Sequence, residues 1–354
     1  MRILNHRYLI TIIAVIMFQY PTLAFLVHGL GHNATLLDAC KWDCIHYVKL
    51  TNELKPSAFF PLLPWLAQSL QRISGLESVP SLLWITNLFN IGASFLALLL
   101  GEALWEESTF PSILGFKRES WILIACLSLY PQHFFGMIGY PEPLFLFLFA
   151  GGWLALWKNR LLLSALSFSL TALARAQGIW VVAILGLFAL YHLLSSKEAR
   201  LKWFAFGLIL ALPFLGLLIW NHQITGDFLY FLKEQSKWGR SFDFLSGLKN
   251  HLPRYDDSRF FVYCTLGLGI AAFRKKSDPR WLVMIATMIA FAELPIFYGG
   301  YYSYVRFVSI NLGLFCLASE FLASRPILTF LWLAFSLTRL AIATMTYTSG
   351  VWAG

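Results

Sequence analysis

Long apolar runs alternate with short polar clusters along the whole chain of 354 residues. A bilayer core requires about 20 apolar residues per helix, and fewer where a helix is short or broken inside a bundle. By this criterion the pattern predicts about eleven membrane spans. Their approximate limits are residues 8 to 30, 81 to 104, 120 to 137, 142 to 157, 161 to 175, 178 to 195, 203 to 221, 259 to 273, 281 to 297, 306 to 323 and 327 to 347.

The composition supports a membrane protein. Hydrophobic residues make up 58% of the chain and charged residues only 13%, whereas a soluble globular protein has about 25% charged residues. Continuous apolar runs fit helices better than the alternating pattern of a membrane barrel. The predicted fold class is therefore all-α: a polytopic transmembrane helix bundle that forms one catalytic domain over residues 1 to 354. Its two long outer loops, residues 31 to 80 and 222 to 258, are each expected to carry an interfacial helix.

The basic residues indicate an orientation. If the amino terminus is cytoplasmic, about half of the 27 lysines and arginines fall on short cytoplasmic connections, as the positive-inside rule requires. The formal net charge of +9 therefore reflects topology, and nucleic-acid binding is not expected. Any chemistry is expected on the opposite, periplasmic or lumenal side, which carries the long polar segments. The compact length favours a bacterial inner membrane, or the ER membrane if the source is eukaryotic.

The first long loop contains the leading candidate for an acid or base. Asp43 lies between Trp42 and His46, and Asp38 precedes them. Partial burial beside aromatic rings can tune the proton affinity of such an acid. The alternative is a solvated loop acid flanked by interfacial aromatic anchors. Further along the loop, apolar residues between positions 59 and 70 follow a helical period and predict a helix on the membrane surface.

Two cysteines lie close together in the same loop. Cys40, Cys44 and His46 are potential zinc ligands, but no fourth ligand follows at a recognisable spacing. A local disulfide or two unreactive thiols is the favoured interpretation.

Three charged residues lie at predicted span ends. Glu142 begins the fourth span, where it can either stabilise the helix start or belong to a site. Arg175 ends the fifth span, and an arginine at such a position usually faces a cavity and a partner, with snorkelling as the alternative. Arg306 lies among tyrosines, which either stack on a sugar or form an interfacial belt.

The second long loop contains an amphipathic segment, GDFLYFLKEQSKWGR, from Gly226 to Arg240. One face is apolar and the other charged, which predicts a helix in the membrane interface. It either covers the bundle or places Lys237 and Arg240 at the depth of a lipid phosphate.

Several strings resemble the GPI mannosyltransferase II family of the GT-C superfamily, which includes bacterial relatives. The resemblance runs from about residue 38 to about residue 310 and rests on strings in the family's order: WDCIHY, FFPLLP, YPEPLF, RAQG and GDFLYFLKEQSKWGR. It implies transfer of mannose from a polyprenyl (dolichyl-type) phosphate mannose to an acceptor hydroxyl on the outer face. It also implies that Asp43 is the family's first-loop acid, with Trp42 and His46 as its motif neighbours.

The mechanism expected from this resemblance is inverting. Asp43 acts as the general base, with His46 as a second catalytic candidate, and arginines stabilise the departing phosphate. No cofactor is required; a divalent metal is compatible with Asp38 but not expected. The expected partners are a polyprenyl-phosphate-linked sugar, a lipid, glycan or protein acceptor, and membrane lipids. The candidate substrate-binding residues are Trp42, Asp38, Tyr140, Glu142, Arg175, Gln177, Asp227, Gln235, Trp238, Arg240 and Arg306.

Two alternatives stay open. A transporter or flippase of a lipid-linked or small polar substrate would also place charges in a bundle, often at the midplane and within inverted repeats. The sequence shows no convincing repeat, and its charges gather at one face. A GT-C enzyme that uses another sugar is the second alternative.

Overall fold

A computed structural model describes residues 2–31, 35–195, 199–237, 256–273, 278–297 and 303–353. Within these ranges there are fifteen α-helices and no β-strand, which confirms the all-α prediction. The first nine are α1 (Arg2–Leu30), α2 (Asp43–Asn52), α3 (Leu62–Ser74), α4 (Ser78–Leu104), α5 (Arg118–Ser128), α6 (Glu142–Trp157), α7 (Leu161–Ala174), α8 (Gln177–Ser195) and α9 (Arg200–Thr225). The others are α10 (Tyr230–Ser236), α11 (Asp256–Phe273), α12 (Pro279–Phe297), α13 (Tyr304–Val308), α14 (Leu312–Ala323) and α15 (Pro326–Thr348).

Each of the eleven predicted spans has a helix at its place. Among the described residues, five helices are long and apolar enough to cross a membrane on their own: α1, α4, α8, α9 and α15. Three others, α6, α7 and α14, are apolar but shorter. Short helices are tolerated in a membrane where neighbouring helices shield their ends. The chain is an integral membrane protein.

Two predicted spans are wrong in extent. The third, expected over residues 120 to 137, ends at Ser128, because Pro131 disfavours a helical conformation at the residue before it. A short 3₁₀ helix, His133–Met137, follows. The tenth span, expected over 306 to 323, is broken into α13 and α14. The side chain of Asn311 accepts a hydrogen bond from the Leu314 amide at 3.3 Å and begins α14 afresh.

Helices from the first two thirds of the bundle pack directly against one another. The helix α4 lies against α6, α6 against α7, and α7 against both α8 and α9. Buried rings hold the contact between α6 and α7: Phe149, Trp153 and Phe168 meet edge to face there. Within a membrane, helices associate through such van der Waals packing. This packing fixes the start of α6 and the end of α7 relative to each other.

The two long loops each contain a helix, as predicted. In the first loop, α2 and α3 pack on each other and on α4. In the second, α10 packs on α9 and is shorter than the amphipathic pattern suggested. Trp238 and Arg240 lie outside the described residues. The loops meet where the Gln235 amide donates a hydrogen bond of 2.7 Å to the Ala58 carbonyl and Phe231 contacts the ring of Phe60.

Candidate active site

Four charged side chains meet where helices begin or end. Asp43 is the first residue of α2, and Glu142 is the first residue of α6. Arg175 directly follows α7, and Arg306 lies in the five-residue helix α13. These helices come from four separate parts of the sequence, so the site exists only in the folded bundle.

The four side chains form one chain of ion pairs. Arg306 Nη1 donates a hydrogen bond to Asp43 Oδ2 at 2.6 Å, and its Nε donates to Glu142 Oε1. The same Glu142 oxygen pairs with Arg175 Nη1. Glu142 therefore joins the two arginines, and Arg306 joins the two carboxylates. Helix stabilisation alone does not describe Glu142, because its carboxylate pairs with two arginines.

Aromatic rings surround the Arg306 guanidinium. Its central carbon lies 4.7 Å from the ring centre of Tyr140, 5.1 Å from that of Phe135 and 5.8 Å from that of Trp352. A cation over a ring face at such a distance gains about 0.5 to 2 kcal/mol. The rings also exclude water, which strengthens the ion pairs inside them.

The charges balance within the cluster. Two arginines and two carboxylates sum to zero, which offsets the large cost of burying each charge alone. Exposure differs among them: the Asp43 side chain is 19% exposed, whereas those of Glu142 and Arg306 are 6% and 5% exposed. Asp43 is thus the carboxylate that a ligand can reach.

A cavity of about 540 Å³, open on one side, lies over this cluster. It brings together five of the residues predicted from sequence: Asp43, Arg175, Gln177, Gln235 and Arg306. Tyr47, Ala58, Phe59, Phe60, Ala176 and Phe307 complete its lining. A lining that combines charged groups with aromatic rings suits a ligand that carries both an anion and an apolar or ring-shaped part.

A break between α7 and α8 aims Arg175 into the cavity. Its backbone is extended, and its Nε donates a hydrogen bond of 3.2 Å to Gln177 Oε1. The break is tight because Gly178 lies directly against the Thr171 carbonyl, where a Cβ atom would collide with the backbone. A glycine is required for this close approach.

The backbone before Asp43 is constrained. Trp42 adopts φ of +54°. This conformation is unfavourable for residues other than glycine, and such backbone strain is often found at functional sites. A disulfide joins Cys40 to Cys44 around it, with their Cα atoms 5.2 Å apart. Of the alternatives for these cysteines, the structure has the local disulfide. Gly139, at φ of +84°, lies so close that a Cβ atom there would be 2.6 Å from Cys44 Sγ.

His46 follows Asp43 by three residues on α2 but is not among the cavity-lining residues. Its ring stacks on Phe59, with ring centres 4.8 Å apart. Burial lowers the pKa of His46, and the Asp43 carboxylate opposes this shift only in part. The imidazole is therefore held towards its neutral form. Its predicted catalytic role stays a prediction.

Two other predicted residues, Tyr140 and Trp42, are not among the residues that line the cavity. The Tyr140 ring contacts the Arg306 guanidinium, and its hydroxyl donates a hydrogen bond of 3.0 Å to the Lys41 carbonyl. Trp42 packs edge to face against Trp352, with ring centres 5.8 Å apart.

Two predicted acids make contacts of their own. Asp38 accepts hydrogen bonds from the amide and hydroxyl of Thr35, which lower its pKa. Asp227 pairs with Lys233 at 2.6 Å and accepts a hydrogen bond from the Leu229 amide. The structure does not bring either acid to the cavity.

Three contributors were not among the candidates from sequence. Tyr47 lines the cavity and is buried, and burial raises the pKa of its hydroxyl. Phe307 packs against Arg175, with 5.5 Å from the guanidinium carbon to the ring centre. Trp352 contacts Arg306 from the opposite end of the chain. Tyr47 follows His46 in the sequence, and Phe307 follows Arg306. This adjacency to a candidate was the only feature of the sequence that pointed to either residue.

Among the described residues there is no group of three or more His, Cys, Asp or Glu side chains that could hold a metal ion.

The comparison with known proteins places the fold. No protein family and no curated sequence matches the chain. Among solved structures, it is similar to the archaeal oligosaccharyltransferase AglB from Archaeoglobus fulgidus, determined in complex with an inhibitory peptide and a dolichol-phosphate. The TM-score is 0.51 and the sequence identity 13%, over 94% of this chain and 56% of that one. The chain thus spans little more than half the length of AglB.

At this identity the likeness shows the fold. The all-α helix bundle has a fold similar to that of AglB. The finer resemblance, to the GPI mannosyltransferase II family, stays a prediction.

Proposed function

We propose that this protein is a membrane glycosyltransferase that transfers mannose from a polyprenyl-phosphate mannose to a hydroxyl group of an acceptor. The observation that carries the proposal is the reachable carboxylate of Asp43, paired with Arg306 at the floor of an open cavity. The GT-C fold supports the same class of reaction. The sugar and the outer-face orientation rest on the sequence resemblance and on the distribution of basic residues.

Asp43 is suited to act as the general base. Its Oδ2 is fixed by Arg306, and its Oδ1 accepts no hydrogen bond from any residue that the structure describes. In the proposed reaction Oδ1 takes the proton of the acceptor hydroxyl as the oxygen attacks the anomeric carbon. The bond from that carbon to the phosphate oxygen breaks, and the polyprenyl phosphate leaves with the electron pair. Attack from the face opposite the phosphate inverts the anomeric centre.

Arg175 is suited to meet the phosphate. Its Nε and Nη1 contact Gln177 and Glu142, whereas its Nη2 makes no hydrogen bond to a described residue. Guanidinium groups bind phosphate oxygens strongly and stabilise the charge that develops as the bond breaks. Arg306 is enclosed by three rings, so we assign it chiefly to holding Asp43.

The remaining cavity wall suits a sugar. The Gln177 and Gln235 amides can exchange hydrogen bonds with hydroxyl groups, while Phe59 and Phe307 offer ring faces on which a pyranose can stack. Such a wall can accommodate a hexose. A direct assay distinguishes mannose from the other hexoses.

The test is a transfer assay with purified protein in lipid nanodiscs. Radiolabelled polyprenyl-phosphate mannose is offered alone and in competition with the unlabelled mannosyl, glucosyl and galactosyl donors, with a membrane lipid extract as the acceptor source. We expect labelled glycoside that only the unlabelled mannosyl donor suppresses, and no product from the Asp43→Asn variant.

Three outcomes would contradict the proposal in different ways. Product formed from another sugar donor, with none from the mannosyl donor, would support a glycosyltransferase but exclude mannose as the sugar that it transfers. Product from Asp43→Asn at the normal rate would exclude the assigned base. A complete lack of product with every donor, together with movement of a labelled polyprenyl-phosphate sugar across proteoliposome membranes, would favour the transporter or flippase.

A further inference from the structure

The end of α15 and the segment after it contact the loop that carries Asp43. The buried Tyr347 hydroxyl donates hydrogen bonds to the Ala39 carbonyl at 3.0 Å and the Lys41 carbonyl at 3.2 Å. In the reverse direction, Lys41 Nζ donates to the Thr348 carbonyl at 2.9 Å. Three hydrogen bonds thus tie the end of α15 to residues directly before Asp43.

The same segment also contacts Arg306. The Trp352 ring lies 5.8 Å from the guanidinium carbon and meets Phe135, a second ring on Arg306, at 5.7 Å. Its other edge packs against Trp42, which precedes Asp43. Trp352 therefore touches the surroundings of both members of the Asp43–Arg306 pair.

The segment is held in place independently of these rings. The Gln132 side-chain amide donates a hydrogen bond of 3.1 Å to the Ala353 carbonyl. Val351, by contrast, is 56% exposed. The contacts with the site thus come from particular side chains and not from the segment as a whole.

We propose that Trp352 is a positioning residue for the proposed transfer reaction: its ring holds Arg306 in the orientation in which that arginine presents Asp43 to the acceptor. Tyr347 supports the same pair from the Asp43 side. The inference rests on the proposed function, since it assigns a role within that reaction. It follows from geometry, because the Trp352 ring lies against both the Arg306 guanidinium and Trp42, so a shift of that guanidinium would disturb its hydrogen bond to Asp43 Oδ2.

The test compares two replacements of Trp352 that differ in one property. Trp352→Leu keeps apolar volume but removes the ring face, whereas Trp352→Phe keeps a ring face. Misplacement of a catalytic group by about 1 Å costs on the order of 100-fold in rate. We therefore expect Trp352→Leu to lower kcat by about 10- to 100-fold, with the KM for the polyprenyl-phosphate sugar within about twofold of wild type. Trp352→Phe should recover most of kcat, and Val351→Ala should match wild type.

Two further variants separate positioning from general damage. Tyr347→Phe removes one hydroxyl without altering the packed ring, and it should also lower kcat with little change in KM. In the double variant Trp352→Leu with Arg306→Lys, the two losses in kcat should not multiply, because both disturb the same pair. Thermal unfolding of each variant establishes that it is folded.

The inference is overturned if wild type is active and Trp352→Leu has normal kcat. It is also overturned if Trp352→Phe is as impaired as Trp352→Leu, or if the double variant shows fully multiplied losses. An inactive wild-type protein with every sugar donor would instead overturn the proposed function, so the two failures are distinguishable.

Discussion

Arg306 donates a hydrogen bond of 2.6 Å to Asp43 across 263 positions of the sequence. The contact joins the start of the first loop helix to a short helix near the end of the bundle. Because Arg306 also binds Glu142, which in turn pairs with Arg175, one guanidinium connects the exposed carboxylate to the buried part of the cluster. The stability and the chemistry of the site therefore depend on the same side chain.

The balance of charge in the cluster gives the first prediction. Arg306→Gln leaves two carboxylates against one arginine, and breaking a buried ion pair in this way costs about 3 to 5 kcal/mol of unfolding free energy. Adding Glu142→Gln restores a neutral set, with Asp43 facing Arg175. The double variant should therefore unfold at a higher temperature than Arg306→Gln alone. Thermal unfolding in detergent measures this order, and a double variant that unfolds at or below the temperature of Arg306→Gln would contradict it.

Gly139 gives the second prediction. Gly139→Ala places a Cβ against Cys44 Sγ and also occupies the left-handed region, whereas Gly75→Ala meets the same strain at φ of +72° with open space around it. The left-handed conformation costs roughly 1 to 2 kcal/mol for alanine. Gly75→Ala should lose about that amount of stability, and Gly139→Ala clearly more, with a loss of transfer activity. Equal losses of stability for both variants would contradict the prediction, because the contact with Cys44 Sγ would then add no cost.

The third prediction concerns His46 and pH. Because burial lowers the pKa of His46 in the folded protein, the unfolded chain takes up a proton first as pH falls below about 6.5. Stability that is present above this pH is thus lost as the pH falls towards the folded pKa. In His46→Phe, which keeps a ring against Phe59, the unfolding temperature should fall less between pH 7.5 and 5.5 than in wild type. Parallel curves for the two proteins would contradict the prediction.

The fourth prediction tests the assignment of Arg175 to the phosphate. Arg175→Lys keeps the charge but loses the forked donor and the hydrogen bond to Gln177. Removing one donor from a developing anion typically costs about 10² to 10³ in kcat. Arg72→Lys, an exposed change on α3, serves as the matched control. Normal kcat in Arg175→Lys would exclude the assignment.

The sequence pattern predicted where the helices of the spans lie and that charged residues gather at one face of the bundle. Apolar run length predicts spans well, because the bilayer leaves the backbone few alternatives. Arg175 and Arg306 were candidates because a charge at a span end usually faces a partner, and Asp43 because an acid beside aromatic rings can have its proton affinity tuned by partial burial. The early end of α5 and the break at Asn311 were missed, since each depends on a local turn or cap within an apolar run.

Partners from distant parts of the chain could not be predicted in the same way. Whether Glu142 stabilises its own helix or pairs with arginines depends on which helices pack beside α6, and local sequence does not encode this. Trp352 and Tyr347 lie about 300 residues after the Asp43 loop that they contact. Their role follows only from the tertiary arrangement.

The account depends most directly on Asp43. A single-turnover transfer assay with labelled polyprenyl-phosphate mannose should show a rate for Asp43→Asn that is lower than wild type by about 10² to 10⁴. Glu53→Gln, an exposed acid in the same loop, should react at the wild-type rate, and thermal unfolding establishes that each of the three proteins is folded. Transfer by folded Asp43→Asn at the wild-type rate would contradict the account.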